Sequence, residues 1–163
     1  IRQSLVGSEM CIRDRFKDIV DNKLVFYSDY ESSKGREMES NPNISGLFFW
    51  PELHRQIRLE GVVSKTSDEV SDNYFASRPR GAQLSAIASS QSTEIEGRET
   101  VEDRIKELEI EFEGKDIPRP DNWGGYAIDI SFWEFWQGRR SRTHDRFIYV
   151  KNDNSWEITR LSP

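Results

Sequence analysis

The chain has 163 residues, of which 35% are hydrophobic and 32% are charged, and its net charge is −6. This length suits one domain with one core, and the composition is that of a soluble globular protein. No apolar run approaches the roughly 20 residues that a membrane-spanning helix needs, and no basic stretch followed by an apolar one suggests a secretory signal. The single cysteine, Cys11, excludes an intramolecular disulfide and a multi-cysteine metal site, so we expect a cytoplasmic protein.

The negative charge is concentrated in one segment. Between Glu94 and Asp116 there are ten acidic and four basic residues, so the rest of the chain is neutral overall. This distribution is compatible with a basic site for a small anionic ligand, and it disfavours a broad nucleic-acid-binding face.

Residues 1–15 follow no period of a helix or strand. Their sequence resembles a translated sequencing adapter, which predicts that they are not native and that the true N-terminal segment is missing. Cys11 would then not be native either. The alternative is an ordinary N-terminal arm. Residues 16–163 are expected to form a single domain.

The first half of the chain predicts three strands and a helix. Strands are indicated by β-branched and aromatic residues, and the helix ends at the signal Asn41-Pro42. In the last of these strands, Ile57, Leu59, Gly61 and Val63 share one face. The strands are Lys23–Ser28, Ile44–Trp50 and Gln56–Lys65, and the helix is Ser32–Asn41.

Helices and then further strands are predicted in the second half. Ser67 or Asp68 caps a helix to about Ser77, and an amphipathic pattern predicts a longer surface helix. The remaining elements are a short helix at 82–89, the longer helix at 100–114, an extended linker at 117–120, and strands at 125–130 continuing into 132–137, at 146–150 and at 156–161. The predicted fold is mainly β, a small antiparallel barrel with peripheral helices.

The segment from Trp133 to Phe147 is the most informative for function. It holds two Trp, four Arg and one of the two His residues of the chain. Arg is rarely buried without a partner, and its planar fork binds phosphate and stacks on rings. On an extended strand, Arg142, His144 and Arg146 would point to one side. The segment indicates an interface or a site for a flat anionic ligand; the alternative is a solvated charged strand over an aromatic core.

Four other clusters have the chemistry of anion or ring contacts, although each alone is weak. Tyr27 and Ser28 end a strand before a helix start, where free backbone N–H groups favour phosphate. Tyr74 precedes Arg78 by four residues, so a helix would put them on one face. The other two clusters are Arg55-Gln56 on a strand and Gln91-Ser92 in a polar loop. His54, at a strand edge, is expected to be structural.

Taken together, these stretches resemble the pyridoxamine/pyridoxine 5′-phosphate oxidase family of flavoenzymes from about Phe16 to Pro163. The order, spacing and C-terminal end of the motifs agree with that family. The matching stretches are 24–28, Asn41-Pro42, Arg55-Gln56, 74–80 (Tyr-Phe-Ala-Ser-Arg-Pro-Arg), Ser90-Gln91-Ser92, Trp123-Gly124-Gly125, 134–138 (Glu-Phe-Trp-Gln-Gly), 142–146 (Arg-Thr-His-Asp-Arg) and 160–163.

The resemblance implies a split β-barrel homodimer with FMN at the subunit interface. The implied substrates are pyridoxamine or pyridoxine 5′-phosphate and O2, and no nucleic acid or membrane partner is expected. The substrate phosphate would be held by Lys17, Tyr74 and Arg78, and the pyridine ring by the catalytic pair Arg142 and His144. FMN would contact Lys17, Tyr27, Ser28, Lys34, Gln56, Gln91, Ser92, Trp136 and Arg146.

The implied reaction gives pyridoxal 5′-phosphate and H2O2, and NH3 from the amine substrate. In it the flavin carries the chemistry, while the protein supplies position and electrostatics. Three features depart from the family pattern: residues 1–15 replace an Arg-bearing strand, Ser33 stands in place of an Arg, and Ala82 stands in place of a Ser. Each lost charge-assisted hydrogen bond costs about 1.5–3 kcal/mol. The parent enzyme is expected to be active. Because of these three departures, the sequence does not decide whether this chain is active as well.

Two other classes of function fit the sequence less well than an oxidase. A split-barrel protein that holds FMN or pyridoxal phosphate without turnover would not need both pairs, Arg142/His144 and Tyr74/Arg78, whose joint presence favours the oxidase. A nucleic-acid-binding barrel is disfavoured by the acidic charge balance.

Overall fold

The structure is a computed structural model that describes residues 2–6, 17–153 and 155–163, the first of these ranges by its backbone alone. Four helices and eight strands are found in the described residues. The strands are β1 (Arg2–Val6), β2 (Asp18–Val20), β3 (Lys23–Asp29), β4 (Asn43–Trp50), β5 (Arg55–Lys65), β6 (Trp123–Gln137), β7 (Asp145–Asn152) and β8 (Ser155–Leu161). The helices are α1 (Ser33–Ser40), α2 (Asp68–Ser77), α3 (Arg80–Ala88) and α4 (Arg98–Glu111), and 3₁₀ turns occur at Pro51–Leu53 and Arg140–Arg142.

Most predicted elements are confirmed, and three strands differ from the prediction. β6 is one uninterrupted strand of 15 residues where two joined strands were expected. The short strand β2 was not predicted. Residues 1–15 show no period of a helix or strand, yet Arg2–Val6 form β1, whose backbone pairs with β4 from Arg2↔Phe49 to Val6↔Ser45. Backbone pairing at a sheet edge needs no side-chain period, so β1 could not be predicted from the pattern of residues. The rest of that segment, including Cys11, lies outside the described residues.

The chain divides into two compact units, and each is described by itself. The first comprises Ile1–Phe26, Ser40–Ser64 and Ala127–Pro163. It carries the antiparallel sheet, with the strand order β1-β4-β5-β6-β3-β2, β7 beside β6, and β8 beside β7. In β5, Leu59, Gly61 and Val63 are buried while their neighbours are exposed, which confirms the predicted alternation.

The second unit comprises Tyr27–Glu39 and Lys65–Tyr126 and carries α2, α3 and α4. Ser67 caps α2 by accepting the Val70 amide N–H, as predicted. The core of the unit is formed by Phe75, Leu84, Leu108, Ile117 and Trp123. Leu108 lies on the apolar stripe of α4, so that helix is a packing element, as its sequence pattern predicts.

Gly124 marks a close approach of backbone and side chain at the start of β6. A Cβ atom there would collide with the Tyr30 hydroxyl and lie 3.0 Å from the Ser71 hydroxyl oxygen. The next amide, that of Gly125, donates to the Ser71 hydroxyl over 3.1 Å. The Trp-Gly-Gly motif therefore has a local packing reason in addition to its family resemblance. Within the described residues, no helix combines the length and apolarity needed to cross a bilayer.

Candidate active site

The residues singled out from the sequence fall into two groups, one in each unit. The second unit holds Tyr27, Ser28, Lys34, Tyr74, Arg78, Gln91 and Ser92, and the first unit holds Lys17, Gln56, Trp136, Arg142, His144 and Arg146.

Tyr74, one of the predicted phosphate residues of the second unit, belongs to a cluster of three near-parallel rings. The Tyr27 ring stacks on the Tyr74 ring with centroids 3.7 Å apart, and the Trp123 indole lies 5.5 Å from Tyr27. Phe75 meets the indole edge-on at 5.2 Å. Tyr27 comes from β3, Tyr74 from α2 and Trp123 from β6, so packing of this unit fixes where the Tyr74 side chain lies.

Arg78 lies over this ring cluster. Its guanidinium carbon is 4.7 Å from the centroid of the Trp123 ring and 5.7 Å from that of Phe75. Its Nη1 atom is buried and has no hydrogen-bond partner among the described residues. Burial lowers the pKa of Arg78 below its ordinary value, and the neighbouring Tyr74 opposes that shift. A desolvated cation with an unpaired donor is a receptor for an anion.

The expected helix face shared by Tyr74 and Arg78 does not exist. Helix α2 ends at Ser77, and Arg78 is its C-cap in an extended conformation, with ψ 146°. The cause is Pro79, because a residue before proline is disfavoured in the helical conformation. The two side chains still belong to one cluster, through the rings beneath them.

Ser28 and Gln91 are in direct contact although 63 positions separate them. The Ser28 hydroxyl donates to Gln91 Oε1 over 2.9 Å, and the Asp29 amide donates to the same oxygen over 3.3 Å. The backbone amide of Gln91 in turn donates to Asp29 Oδ2 over 3.3 Å. Ser92 follows with a left-handed φ of 68°. These bonds fix the Gln91-Ser92 loop against the end of β3.

Helix α1 starts beside this loop. The buried hydroxyl of Ser32 accepts the Gly35 amide N–H over 3.1 Å, so Ser32 caps the helix. Ser33 is half-buried and Lys34 is 5% exposed. Ala82 lies on α3. In the first unit, Lys17 is exposed, and its backbone amide donates to the Val25 carbonyl over 3.2 Å.

A cavity of about 410 Å³ lies in the first unit and includes two of the predicted cofactor residues. Gln56 and Trp136 line it, along with Trp50, Arg55, Ile57, Phe135, Gln137, Arg139, Asp145 and Phe147. Ligand sites typically have volumes of this order, with aromatic walls and a few polar groups. The aromatic side chains that line this cavity can pack against one face or edge of a flat ring.

Arg146 is held by a buried carboxylate. Trp136 and Arg146 are register partners across β6 and β7. The Arg146 Nε and Nη2 atoms each lie 2.7 Å from Glu134 Oε1, and Nη1 donates to the Ser162 carbonyl over 3.2 Å. Glu134 is 6% exposed and also has Arg58 Nη1 at 3.7 Å from Oε2. The guanidinium therefore keeps one orientation.

The predicted alternation of Arg142, His144 and Arg146 on one strand face is wrong. Ser141 and Arg142 have left-handed φ values of 55° and 59°, and β7 begins only at Asp145. Arg142 is exposed on the 3₁₀ turn, and its side chain has no hydrogen bond or ion pair within the described residues. His144 Nδ1 accepts the Arg139 amide N–H over 3.1 Å, and its ring lies 4.8 Å from that of Trp136. His144 and Trp136 are thus brought together by a turn.

Asp145 organises the same turn, and sequence reasoning gave it no role. Its carboxylate accepts from Arg139 Nε over 2.7 Å and from Arg160 Nη2 over 2.6 Å. The hydrogen bond from Arg139 is the main reason why the pKa of Asp145 lies below its ordinary value. Glu134 was missed as well; a carboxylate inside an aromatic strand is the sequence signal for such a buried pair.

Comparison with known sequences identifies the family. Residues 10–111 match the pyridoxamine 5′-phosphate oxidase family, and residues 123–163 match the pyridoxine 5′-phosphate oxidase C-terminal dimerisation region. The chain belongs to the pyridoxamine 5′-phosphate oxidase family. The resemblance inferred from the sequence is therefore confirmed.

Curated relatives agree with this assignment. The pyridoxine/pyridoxamine 5′-phosphate oxidase of Rubrobacter xylanophilus is 50% identical over 147 residues, which cover 90% of this chain and 68% of that protein. The protein of the same name from Flavobacterium johnsoniae is also 50% identical over 147 residues, covering 90% of this chain and 69% of that one.

Solved structures establish the fold of this oxidase-family chain. PhzG from Burkholderia lata 383, solved in complex with tetrahydrophenazine-1-carboxylic acid, superimposes with a TM-score of 0.90 at 29% identity, over 99% of this chain and 82% of that one. A pyridoxamine 5′-phosphate oxidase-related, FMN-binding protein from Nostoc punctiforme has a TM-score of 0.71 at 17% identity, over 91% of this chain and 78% of that one. The fold is the FMN-binding split β-barrel, as predicted, and FMN is the cofactor.

Proposed function

We propose that this chain oxidises pyridoxamine 5′-phosphate or pyridoxine 5′-phosphate to pyridoxal 5′-phosphate, as a cytoplasmic homodimer. Bound FMN would supply the redox chemistry, a two-electron oxidation of the substrate coupled to reduction of O2 to H2O2; with the amine substrate, water then hydrolyses the imine product and NH3 leaves. The residues of this chain bind and orient the substrate and the cofactor.

The buried Nη1 of Arg78, which has no hydrogen-bond partner in the described part of the chain, is the observation that carries the proposal. A half-buried guanidinium with such a nitrogen gains most from a doubly charged, oxygen-rich partner such as a phosphate monoester. Tyr74, beside it in the ring cluster, can add a hydroxyl donor. Arg78 and Tyr74 are therefore the proposed phosphate receptor, with Lys17 as the third residue by family pattern.

The proposed ring-binding residues are Arg142 and His144. Arg142 presents an exposed cation that has no side-chain partner among the residues that the structure describes, and it is suited to stacking over a flat pyridine. His144 accepts the Arg139 amide at Nδ1, which in the neutral imidazole leaves the proton on Nε2. That N–H can donate to an oxygen substituent of the pyridine, so the turn at 139–144 sets both the tautomer and the direction of the donor.

The chemistry of the donor sets also suits FMN. The Ser28 hydroxyl, the Lys34 ammonium and the Gln91-Ser92 loop match a phosphate or polar ring edge, while Trp136, Gln56 and Arg146 match a flat ring system. Together with Lys17 and Tyr27 they are the proposed cofactor residues. Trp156 and Ile158 on β8 are 41% and 58% exposed, which supports pairing of two copies through the C-terminal region.

A second candidate is oxidation of another flat anion, because PhzG, a structural relative, was solved with a tricyclic carboxylic acid. A third candidate, which the sequence also allows, is binding of FMN or pyridoxal phosphate without turnover. Incubating the FMN-loaded protein in air with pyridoxamine 5′-phosphate, pyridoxine 5′-phosphate or unphosphorylated pyridoxamine separates the proposed reaction from both alternatives.

We expect pyridoxal 5′-phosphate and H2O2 in equal amounts from the phosphorylated substrates, and kcat/KM at least tenfold lower for pyridoxamine. Arg78→Met should remove most of that preference, whereas Arg98→Met, a matched change at an exposed arginine of α4 paired with Glu102, should not. Binding of the phosphorylated substrates without product, or an equal rate with and without the phosphate, would contradict the proposal.

A further inference from the structure

We infer that Arg119 is a positioning residue for the phosphate receptor, acting through the Trp123 indole on which Arg78 rests. This inference rests on the proposed function. Neither residue was singled out from the sequence as part of a site: Arg119 lies in the stretch predicted only as an extended linker, and Trp123 is the first residue of β6.

All three guanidinium nitrogens of Arg119 are engaged. Nε donates to Asp72 Oδ1 over 2.6 Å, Nη2 donates to Asp68 Oδ1 over 2.8 Å, and Nη1 donates to the Trp123 carbonyl over 2.7 Å. The Arg119 side chain is only 10% exposed, while both carboxylates reach solvent at the start of α2. A planar guanidinium fixed by three partners allows little rotation.

These bonds connect helix α2, at whose C-terminal end Tyr74 and Arg78 lie, to Trp123, over which the Arg78 guanidinium packs. Asp68 and Asp72 lie in the N-terminal half of α2, and Tyr74 and Arg78 lie in its last turn and at its C-cap. The Trp123 indole packs on Phe75 of the same helix and lies beneath the Arg78 guanidinium, 4.7 Å from its central carbon. Arg119 therefore fixes the helix relative to the indole.

The consequence concerns Arg78 more than overall stability. Within the described ranges, no hydrogen bond holds the buried Nη1 of Arg78 in place, so contact with the indole face is what constrains the guanidinium. If the indole moves, the unpaired donor no longer points in one direction, and a phosphate loses part of a charge-assisted bond. The unphosphorylated part of the substrate is not affected by this change.

Affinity measurements test this more directly than turnover alone. The dissociation constants of pyridoxamine 5′-phosphate and of pyridoxamine are measured by calorimetry on protein whose bound FMN has been reduced beforehand, with O2 excluded so that no hydride can be transferred, for wild type, Arg119→Met, Arg78→Met and the double variant. Arg119→Met should weaken binding of the phosphorylated compound about tenfold, the low end for a charge-assisted bond, and leave pyridoxamine unchanged within about twofold. In turnover, KM should rise while kcat at saturation stays the same.

The double variant distinguishes positioning from an independent effect. If Arg119 acts through Arg78, its removal should add little once Arg78 is already Met. Arg119→Lys, which keeps a cation near Asp72 but loses the fork, should weaken binding by an intermediate amount, so that a poorly folding Met variant does not decide the matter. Arg98→Met serves as the exposed control.

Losses that multiply in the double variant, or equal losses for both compounds, would overturn the inference. Unchanged phosphate affinity in Arg119→Met and Arg119→Lys would overturn it as well. A wild-type protein that binds pyridoxamine 5′-phosphate without oxidising it would contradict the proposed oxidase activity but not the positioning role, and a wild type that fails to bind it would contradict both.

Discussion

Replacing Arg146 should have two separable effects, one on folding and one on the flavin. Arg146 places Nε and Nη2 at 2.7 Å from Glu134 Oε1, and Glu134 is buried inside β6. Arg146→Leu leaves that carboxylate buried beside a new apolar side chain. The same change removes the cation that we propose for FMN contact.

The size of the folding effect follows from burial. Removing one member of a fully buried ion pair costs about 3–5 kcal/mol, because the other charge is left without a partner. Here Arg146 is 32% exposed at its side chain and Arg58 remains 3.7 Å from the other carboxylate oxygen, which favours a value of about 2 kcal/mol. For a chain of this size that corresponds to a melting temperature lower by about 4–8 °C.

The flavin effect is expected to be larger in affinity terms. Loss of one charge-assisted contact should weaken FMN binding about ten- to a hundredfold. Adding Glu134→Gln to Arg146→Leu removes the abandoned charge, so it should restore part of the melting temperature but none of the FMN affinity.

Thermal unfolding of the apoprotein and quenching of flavin fluorescence measure the two effects separately. Lys151→Met is the matched control, since Lys151 is also a cation of β7 but pairs with the exposed Asp129. Recovery of FMN affinity in the double variant would mean that Arg146 acts only by neutralising Glu134. An unchanged melting temperature in Arg146→Leu would refute the argument from burial.

Three further changes are expected to give distinct results. Arg142→Leu should leave FMN bound while lowering kcat/KM about ten- to a thousandfold, the scale on which misplacement slows an oriented reaction; normal formation of pyridoxal 5′-phosphate in air would remove its assigned role. Ser33→Arg should tighten FMN binding by up to about a hundredfold, since it adds a charge-assisted contact; weaker or unchanged binding by fluorescence titration would place that loop elsewhere. Burial raises the pKa of Tyr126 to about 12, so the free energy of unfolding should fall as the pH rises from 10 towards 12, because the unfolded phenol ionises first; urea titrations of Tyr126→Phe should lack this part of the alkaline slope, and an identical slope would contradict it.

The fold was largely predictable, because most of its strands and helices show the spacing of hydrophobic residues that is typical of their type. β5 alternates exposed and buried residues from Arg58 to Ser64, and in α4 the apolar stripe of Val101, Ile105 and Leu108 is buried or half-buried. β1 was not predicted because a short edge strand depends on the backbone of its partner, and β4 is distant in sequence. β2 pairs with the neighbouring strand β3, but its three residues are too few to show a period.

The candidate site residues could be proposed from the sequence by their type, but their geometry could be predicted only in part. Family motifs selected Arg142 and His144, yet left-handed φ values at Ser141 and Arg142 occur without any glycine to signal them. The end of α2 before Arg78 did have a signal, in Pro79. The Arg119 bonds to Asp68 and Asp72 join positions about fifty residues apart, and a local pattern carries no trace of such a pairing.

The hydrogen bonds of Asp29 bear on when, during synthesis, the proposed cofactor residues Ser28 and Gln91 reach their positions. One oxygen of its carboxylate accepts from the Gln91 amide and, 93 positions along the chain, from Asn122 Nδ2, each over 3.3 Å. The Ser28 end of β3 is thus fixed only after both later segments have left the ribosome, since long-range contacts form after the intervening chain has closed its loop. A nascent chain stopped before Asn122 has made α2 and α3 but lacks this closure. Cofactor capture is therefore expected to follow nearly complete translation, so that shortage of flavin would act on finished chains and not on growing ones.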